Sequence, residues 1–119
     1  MPGMSNLELI RSYWSAEHAK DMDGVLSWYA EDSQITTPDG QSEGLKEIRA
    51  FYQSVFDGYE EVLVTITNAI EQGNEIAVEY GLKLVKHGGE VRMTRGCNVF
   101  TIKGEKIRHL RCYFNPADF

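Results

Sequence analysis

The stretch EVLVTITNAIEQGNEIAVEYGLKLV, residues Glu61–Val85, decides the fold. Val62, Val64 and Ile66 recur at every second position, as do Ile76, Val78, Tyr80, Leu82 and Leu84, and Gln72-Gly73-Asn74 separates the two runs. A period of two marks strands with one buried face, and a short Gly/Asn turn between them marks an antiparallel hairpin. Downstream, His87-Gly88-Gly89 is a second turn, and Val91–Ile102 and Ile107–Phe114 are two more strands joined by Lys103-Gly104-Glu105. Upstream the period changes. Leu7, Leu9, Ile10, Tyr13, Trp14 and Ala16 recur at helical spacing, with Ser5 and Glu8 placed as a capping box, so a first helix is expected over residues 5–20. Asp21 or Asp23 caps a short second helix, Gly24–Ala30, and Leu45–Phe56 is an amphipathic third. Between them, Gln34–Thr37 is a brief strand closed by the turn Pro38-Asp39-Gly40. Helices first and an antiparallel meander afterwards is an α+β order, not the alternation of a nucleotide-binding sheet.

The 119 residues suit one domain spanning residues 1–119, with 42% hydrophobic and 25% charged residues, the ordinary globular range. A net charge of −6 with twelve dispersed Lys and Arg disfavours nucleic acid, whose phosphates demand a concentrated basic surface. No apolar run approaches the roughly 20 residues that span a bilayer, and Met1–Ile10 lacks a signal-peptide pattern, so a cytoplasmic protein without a membrane partner is expected. Cys97 and Cys112 show neither metal-ligand nor redox-pair spacing and read as free thiols; no metal or cofactor is expected.

Tyr13-Trp14-Ser15-Ala16, Asp21-Met22-Asp23-Gly24, Trp28-Tyr29-Ala30-Glu31-Asp32-Ser33, Pro38-Asp39-Gly40, Gly44 and Glu47-Ile48-Arg49-Ala50-Phe51-Tyr52 occur in an order that resembles the nuclear transport factor 2-like superfamily. The nearest likeness is to its SnoaL-like polyketide cyclase and ketosteroid isomerase branches. Arg95-Gly96, Phe100, Gly104-Glu105-Lys106-Ile107 and Arg111-Cys112-Tyr113-Phe114-Asn115 extend the resemblance over nearly the whole chain. It implies a cystatin-like cone, three helices packed on a curved, mostly antiparallel sheet enclosing a pocket, and a homodimer through the exposed sheet face. The superfamily holds isomerases, cyclases, lyases, hydrolases and non-catalytic binding modules, so the fold alone does not select an activity.

By the same resemblance, Tyr80 and Leu82, Asn98 and Phe100, and Leu110, Cys112 and Phe114 face inward on their strands, while Trp28 and Phe51, Tyr52 and Val55 supply helical walls. Tyr13 takes the family's pocket tyrosine, and Glu17 stands one turn further along the first helix. Such a pocket is apolar and aromatic with a few polar groups, the composition of a site for a small apolar or aromatic ligand. Tyr13 and Asn98 are the candidate donors to a ligand oxygen; alternatively, Tyr13 is a core aromatic satisfied locally. The family's general base is absent: Thr37 stands at its position, and Asn98 and Cys112 stand where related enzymes carry acids. Glu17 is the candidate substitute, its carboxyl either desolvated beside Tyr13 or carried by helix rotation to a solvated rim. His18, His87 and His109 read as rim, turn and outward-facing residues.

Two functions follow. One is an enzyme acting on a largely apolar carbonyl or hydroxylated ring compound by acid/base or oxyanion-stabilised isomerisation, cyclisation or elimination, with Tyr13, Glu17 and Asn98 catalytic. The other is a binding or dimerisation module that retains the cone without the chemistry.

Overall fold

In the computed structural model, which describes residues 3–119, the first helix, α1, runs Asn6–His18. Its capping box is formed: the Glu8 amide donates to Ser5 Oγ (3.1 Å) and the Ser5 amide to Glu8 Oε1 (3.2 Å). Lys20, at φ 56°, turns the chain out of α1, and its ammonium donates to the carbonyls of Phe56 (2.9 Å) and Tyr59 (2.6 Å), tying this end to the end of the third helix. Asp21 caps α2, Met22–Leu26, by accepting from the Gly24 amide at 3.0 Å.

The second helix is shorter than the expected Gly24–Ala30, because Tyr29 and Ala30 open strand β1, Tyr29–Thr37. Tertiary pairing overrides local pattern there. The Ile107 amide donates to the Trp28 carbonyl (2.7 Å), and Ser33 Oγ accepts from the Ala30 amide while donating to the Ile107 carbonyl, across a bulge between Tyr29 and Gln34. The turn at Pro38-Asp39 leads into a second strand absent from the sequence reading, β2, Gly40–Glu43, which pairs antiparallel with β1 and has no apolar residue to announce it. Helix α3, Gly44–Gly58, follows; β3 (Tyr59–Gln72), β4 (Glu75–Lys86), β5 (Val91–Lys103) and β6 (Lys106–Tyr113) form the meander.

The sheet order is β2-β1-β6-β5-β4-β3, antiparallel except for the β1–β6 pair. This is the expected α+β architecture, three helices on a mixed, mostly antiparallel sheet. The inner face carries Val78, Tyr80, Leu82 and Leu84 of β4 and Asn98, Phe100 and Ile102 of β5, all buried. Against them pack Leu9, Ile10, Tyr13 and Trp14 of α1 and Ile48, Tyr52 and Phe56 of α3. The outer face leaves Ile70, Val91, Met93 and Tyr113 exposed, Met93 at 73%. No helix among the described residues is long and apolar enough to cross a membrane.

Candidate functional site

Between α1, α3 and the inner sheet face lies a cavity of about 340 Å³, within the range of small-molecule sites. Tyr13, Trp14 and Glu17 enter from α1, Phe51 and Val55 from α3, Tyr80 and Leu82 from β4, Asn98 from β5, and Leu110 and Cys112 from β6. Phe114 follows β6, and the 3-10 turn Pro116–Asp118 folds back to bring Pro116 and Phe119 onto the same cavity. That turn is tied down by Thr94 Oγ1, which donates to Asp118 Oδ2 at 2.8 Å, and by contact of the Phe114 and Phe119 rings, tilted 54° with centroids 4.6 Å apart. Exposed Asp39, Ser54 and Pro116 form the rim; buried Tyr13, Leu82, Leu84 and Leu110 form the depth.

Three of the residues expected at the pocket lie elsewhere. Trp28 is half-buried against the core, outside the cavity lining. Phe100 is fully buried and sits edge-on to Tyr13 (5.9 Å) and Trp14 (5.5 Å), a layer behind the wall. Tyr52 is fully buried too, and its hydroxyl bonds to those of Tyr13 and Tyr29, the latter at 2.6 Å. Strand parity and helical phase give the side on which a residue lies, not the depth at which a cavity begins. Of the residues not foreseen, Val62 and Val64 carry the alternation that marks their inward face. Trp14, beside Tyr13, and Asp39, in the turn, carry only helix and turn signals. Phe119 reaches the cavity through the fold-back, which leaves no periodic trace.

The hydroxyls of Tyr29, Tyr52 and Tyr13 form a chain of two hydrogen bonds. Three hydroxyls hold three protons and two bonds use two. When Tyr29 donates to Tyr52 and Tyr52 to Tyr13, the remaining proton is that of Tyr13, the only one of the three that lines the cavity. Burial, with neighbouring charge, holds Tyr13 and Tyr52 well above the ordinary phenol range, so they act as neutral donors.

Glu17 is 9% exposed and lines the cavity, so helix rotation has not carried it to a solvated rim. It makes no hydrogen bond or salt bridge among the described residues, and desolvation pushes its carboxyl up to about 7. Asn98, 6% exposed, accepts from the Tyr80 hydroxyl through Oδ1 at 3.1 Å. Cys112 has its thiol pushed up to about 12 by burial and then by Glu17, which makes it a wall rather than a nucleophile. The histidines stand off the cavity lining: His18 meets Glu61 at 3.0 Å, His87 the Asp57 carbonyl at 2.8 Å and His109 the Thr36 hydroxyl at 2.8 Å. Both cysteines are free.

A helical layer on a curved, mostly antiparallel sheet around a ligand-sized cavity defines a protein of the nuclear transport factor 2-like, cystatin-fold class, and here a buried, unpaired glutamate enters that cavity. The model of the SnoaL-like domain matches residues 10–110, and the chain belongs to that family. Among solved structures, it is similar to an NTF2-like protein of unknown function from Burkholderia pseudomallei, at 25% identity and TM-score 0.86, covering 97% of this chain and 95% of that one. A Mycobacterium tuberculosis protein solved with estradiol-17β-hemisuccinate is 25% identical, with TM-score 0.81 over 93% and 94% of the two chains. A candidate polyketide cyclase from Pseudomonas putida shares the fold at 22% identity and TM-score 0.80, over 98% and 96%. No curated protein sequence matches this one.

Proposed function

We propose that this chain binds a small, largely apolar carbonyl or hydroxylated ring compound in the cavity and converts it by proton transfer through Glu17. Tyr13 and Asn98 hold the ligand oxygen. The observation that carries this reading is Glu17 itself: a carboxyl facing the cavity without a hydrogen bond or ion pair among the described residues, and raised by desolvation to about 7. A group poised there gives up and takes back protons at physiological pH with little driving-force penalty. Ionised, Glu17 removes a proton from carbon next to a carbonyl; the negative charge moves to the oxygen, where neutral donors stabilise it; the proton then returns to another carbon or to a leaving group. Isomerisation, cyclisation and elimination share this step. The apolar walls suit a ring, and the estradiol ester held by the mycobacterial relative is such a compound.

Glu17→Gln is expected to lower turnover of the true substrate at least a hundredfold and Tyr13→Phe at least tenfold, each in a folded protein. Full activity in both variants contradicts the mechanism. A second reading, a binding module without turnover, is favoured by Asn98 and the inert Cys112 thiol on walls where related enzymes carry acids. Mass spectrometry of ligands before and after incubation separates the two, since a new product excludes the second.

We also propose that the chain pairs as a homodimer through the outer sheet face, where Ile70, Val91, Met93 and Tyr113 leave apolar surface in water. Sedimentation equilibrium is expected to return twice the 13.5 kDa chain mass. The monomer mass at micromolar concentration contradicts the pairing.

A further inference from the structure

We infer that Tyr80 and Gly96 set the polarity of the cavity by locking the Asn98 side chain with its NH₂ group inward, so that the site selects ligands presenting a hydrogen-bond acceptor, such as a carbonyl oxygen, at that point. This rests on the reading of the cavity as a ligand site, and adds to it which atom the ligand places there.

Tyr80 and Gly96 are directly opposed in the β4–β5 ladder, and Asn98 is the next residue on the same face of β5. The Tyr80 side chain crosses over Gly96 to reach Asn98. A Cβ on Gly96 would stand 2.6 Å from the Tyr80 hydroxyl and 3.0 Å from the Tyr113 carbonyl oxygen, so any larger residue evicts the hydroxyl from this place. From there it donates to Asn98 Oδ1 at 3.1 Å.

A primary amide is planar, with its acceptor and its donors on opposite edges. Engaging Oδ1 with Tyr80 therefore turns the NH₂ edge the other way. That nitrogen makes no hydrogen bond among the described residues, yet Arg111 Nε is the one side-chain N or O there that is both fully enclosed and unpartnered. The Asn98 nitrogen therefore reaches open volume, and Asn98 lines the cavity. The reversed amide would donate to the Tyr80 hydroxyl and put Oδ1, a second acceptor, on the cavity that Glu17 also lines, leaving it without a donor at this point. The observed orientation instead gives the cavity a donor at Asn98 and an acceptor at Glu17. A buried donor left unmatched disfavours a ligand lacking the complementary atom far more than a missing methylene does.

The test uses two probes of similar shape, 1-indanone and indane, which differ in the carbonyl oxygen. They are titrated by NMR at pH 9, where Glu17 is ionised and cannot itself donate. Wild-type protein is expected to bind the ketone about tenfold more tightly than the hydrocarbon, a factor equal to one good hydrogen bond. In Tyr80→Phe, which keeps the ring, and in Gly96→Ala, which displaces the hydroxyl, that ratio is expected to fall severalfold. A purely structural role would weaken both probes alike and leave the ratio untouched. An unchanged ratio in both variants, or a ratio near one in wild type, overturns the inference while the cavity remains a ligand site. Failure of both probes to bind wild type at millimolar concentration removes the ligand-site reading and the inference with it.

Discussion

Glu17 is charged only at a cost, and that cost has a pH signature. Its carboxyl titrates at about 7 in the folded protein, against 4.5 for the exposed group. Between these values the folded state binds more protons than the unfolded one, so stability falls as pH rises. The protonated form carries no penalty below the unfolded value, and the full penalty, on the order of 3 kcal/mol, is reached above pH 7. Glu17→Gln is therefore expected to be more stable than wild type at pH 8 and to lose that advantage by pH 4.5, measured by urea unfolding across the range. An advantage independent of pH would mean the carboxyl is solvated. Tyr52 is the middle member of the hydroxyl chain, and Tyr52→Phe leaves the buried Tyr13 and Tyr29 hydroxyls without their common partner. A loss of about 2 kcal/mol is expected from unfolding midpoints, together with weaker binding of a ketone, because the Tyr13 proton is no longer supported from behind.

Among the elements, α1 places Tyr13, Trp14 and Glu17, so its start matters to the site. Ser5→Ala breaks the capping box and is expected to cost about 1 kcal/mol by thermal or chemical unfolding. Gly44 opens α3 at φ +81°, with the Glu31 carbonyl 3.4 Å from where a Cβ would stand. Gly44→Ala is expected to cost roughly 1–2 kcal/mol, since an L side chain disfavours that conformation. Elements with their own periodicity were legible from sequence: α1, α3 and the meander were readable because each carries apolar residues at the period of its own secondary structure. The end of α2 and the whole of β2 were not. Tyr29 has the neighbours of a helical residue and becomes a strand through the Trp28–Ile107 bond, formed with a residue nearly eighty positions away. Gly40–Glu43 has no apolar residue and is a strand only because β1 lies beside it.

At the scale of the molecule, the cavity exists only where α1, α3, four strands and the returning C-terminal turn meet, which explains how far its contents could be read. Glu17 and Asn98 could be proposed as polar groups of an apolar pocket from phase and resemblance. That Tyr52 would sit behind the wall, that Asp39 and Phe119 would join the lining, and that Tyr80 would orient Asn98 depend on depth and on contacts across the ladder, for which one sequence has no marker. The unpaired carboxyl at the heart of this assembly is the central claim, because proton transfer, the pH dependence of stability and the polarity of the site all depend on it. Its most direct test is a ¹³C NMR titration of the Glu17 carboxyl in the folded protein. A midpoint near 7 is the result predicted; a midpoint near 4.5, the value of an exposed glutamate, would contradict it.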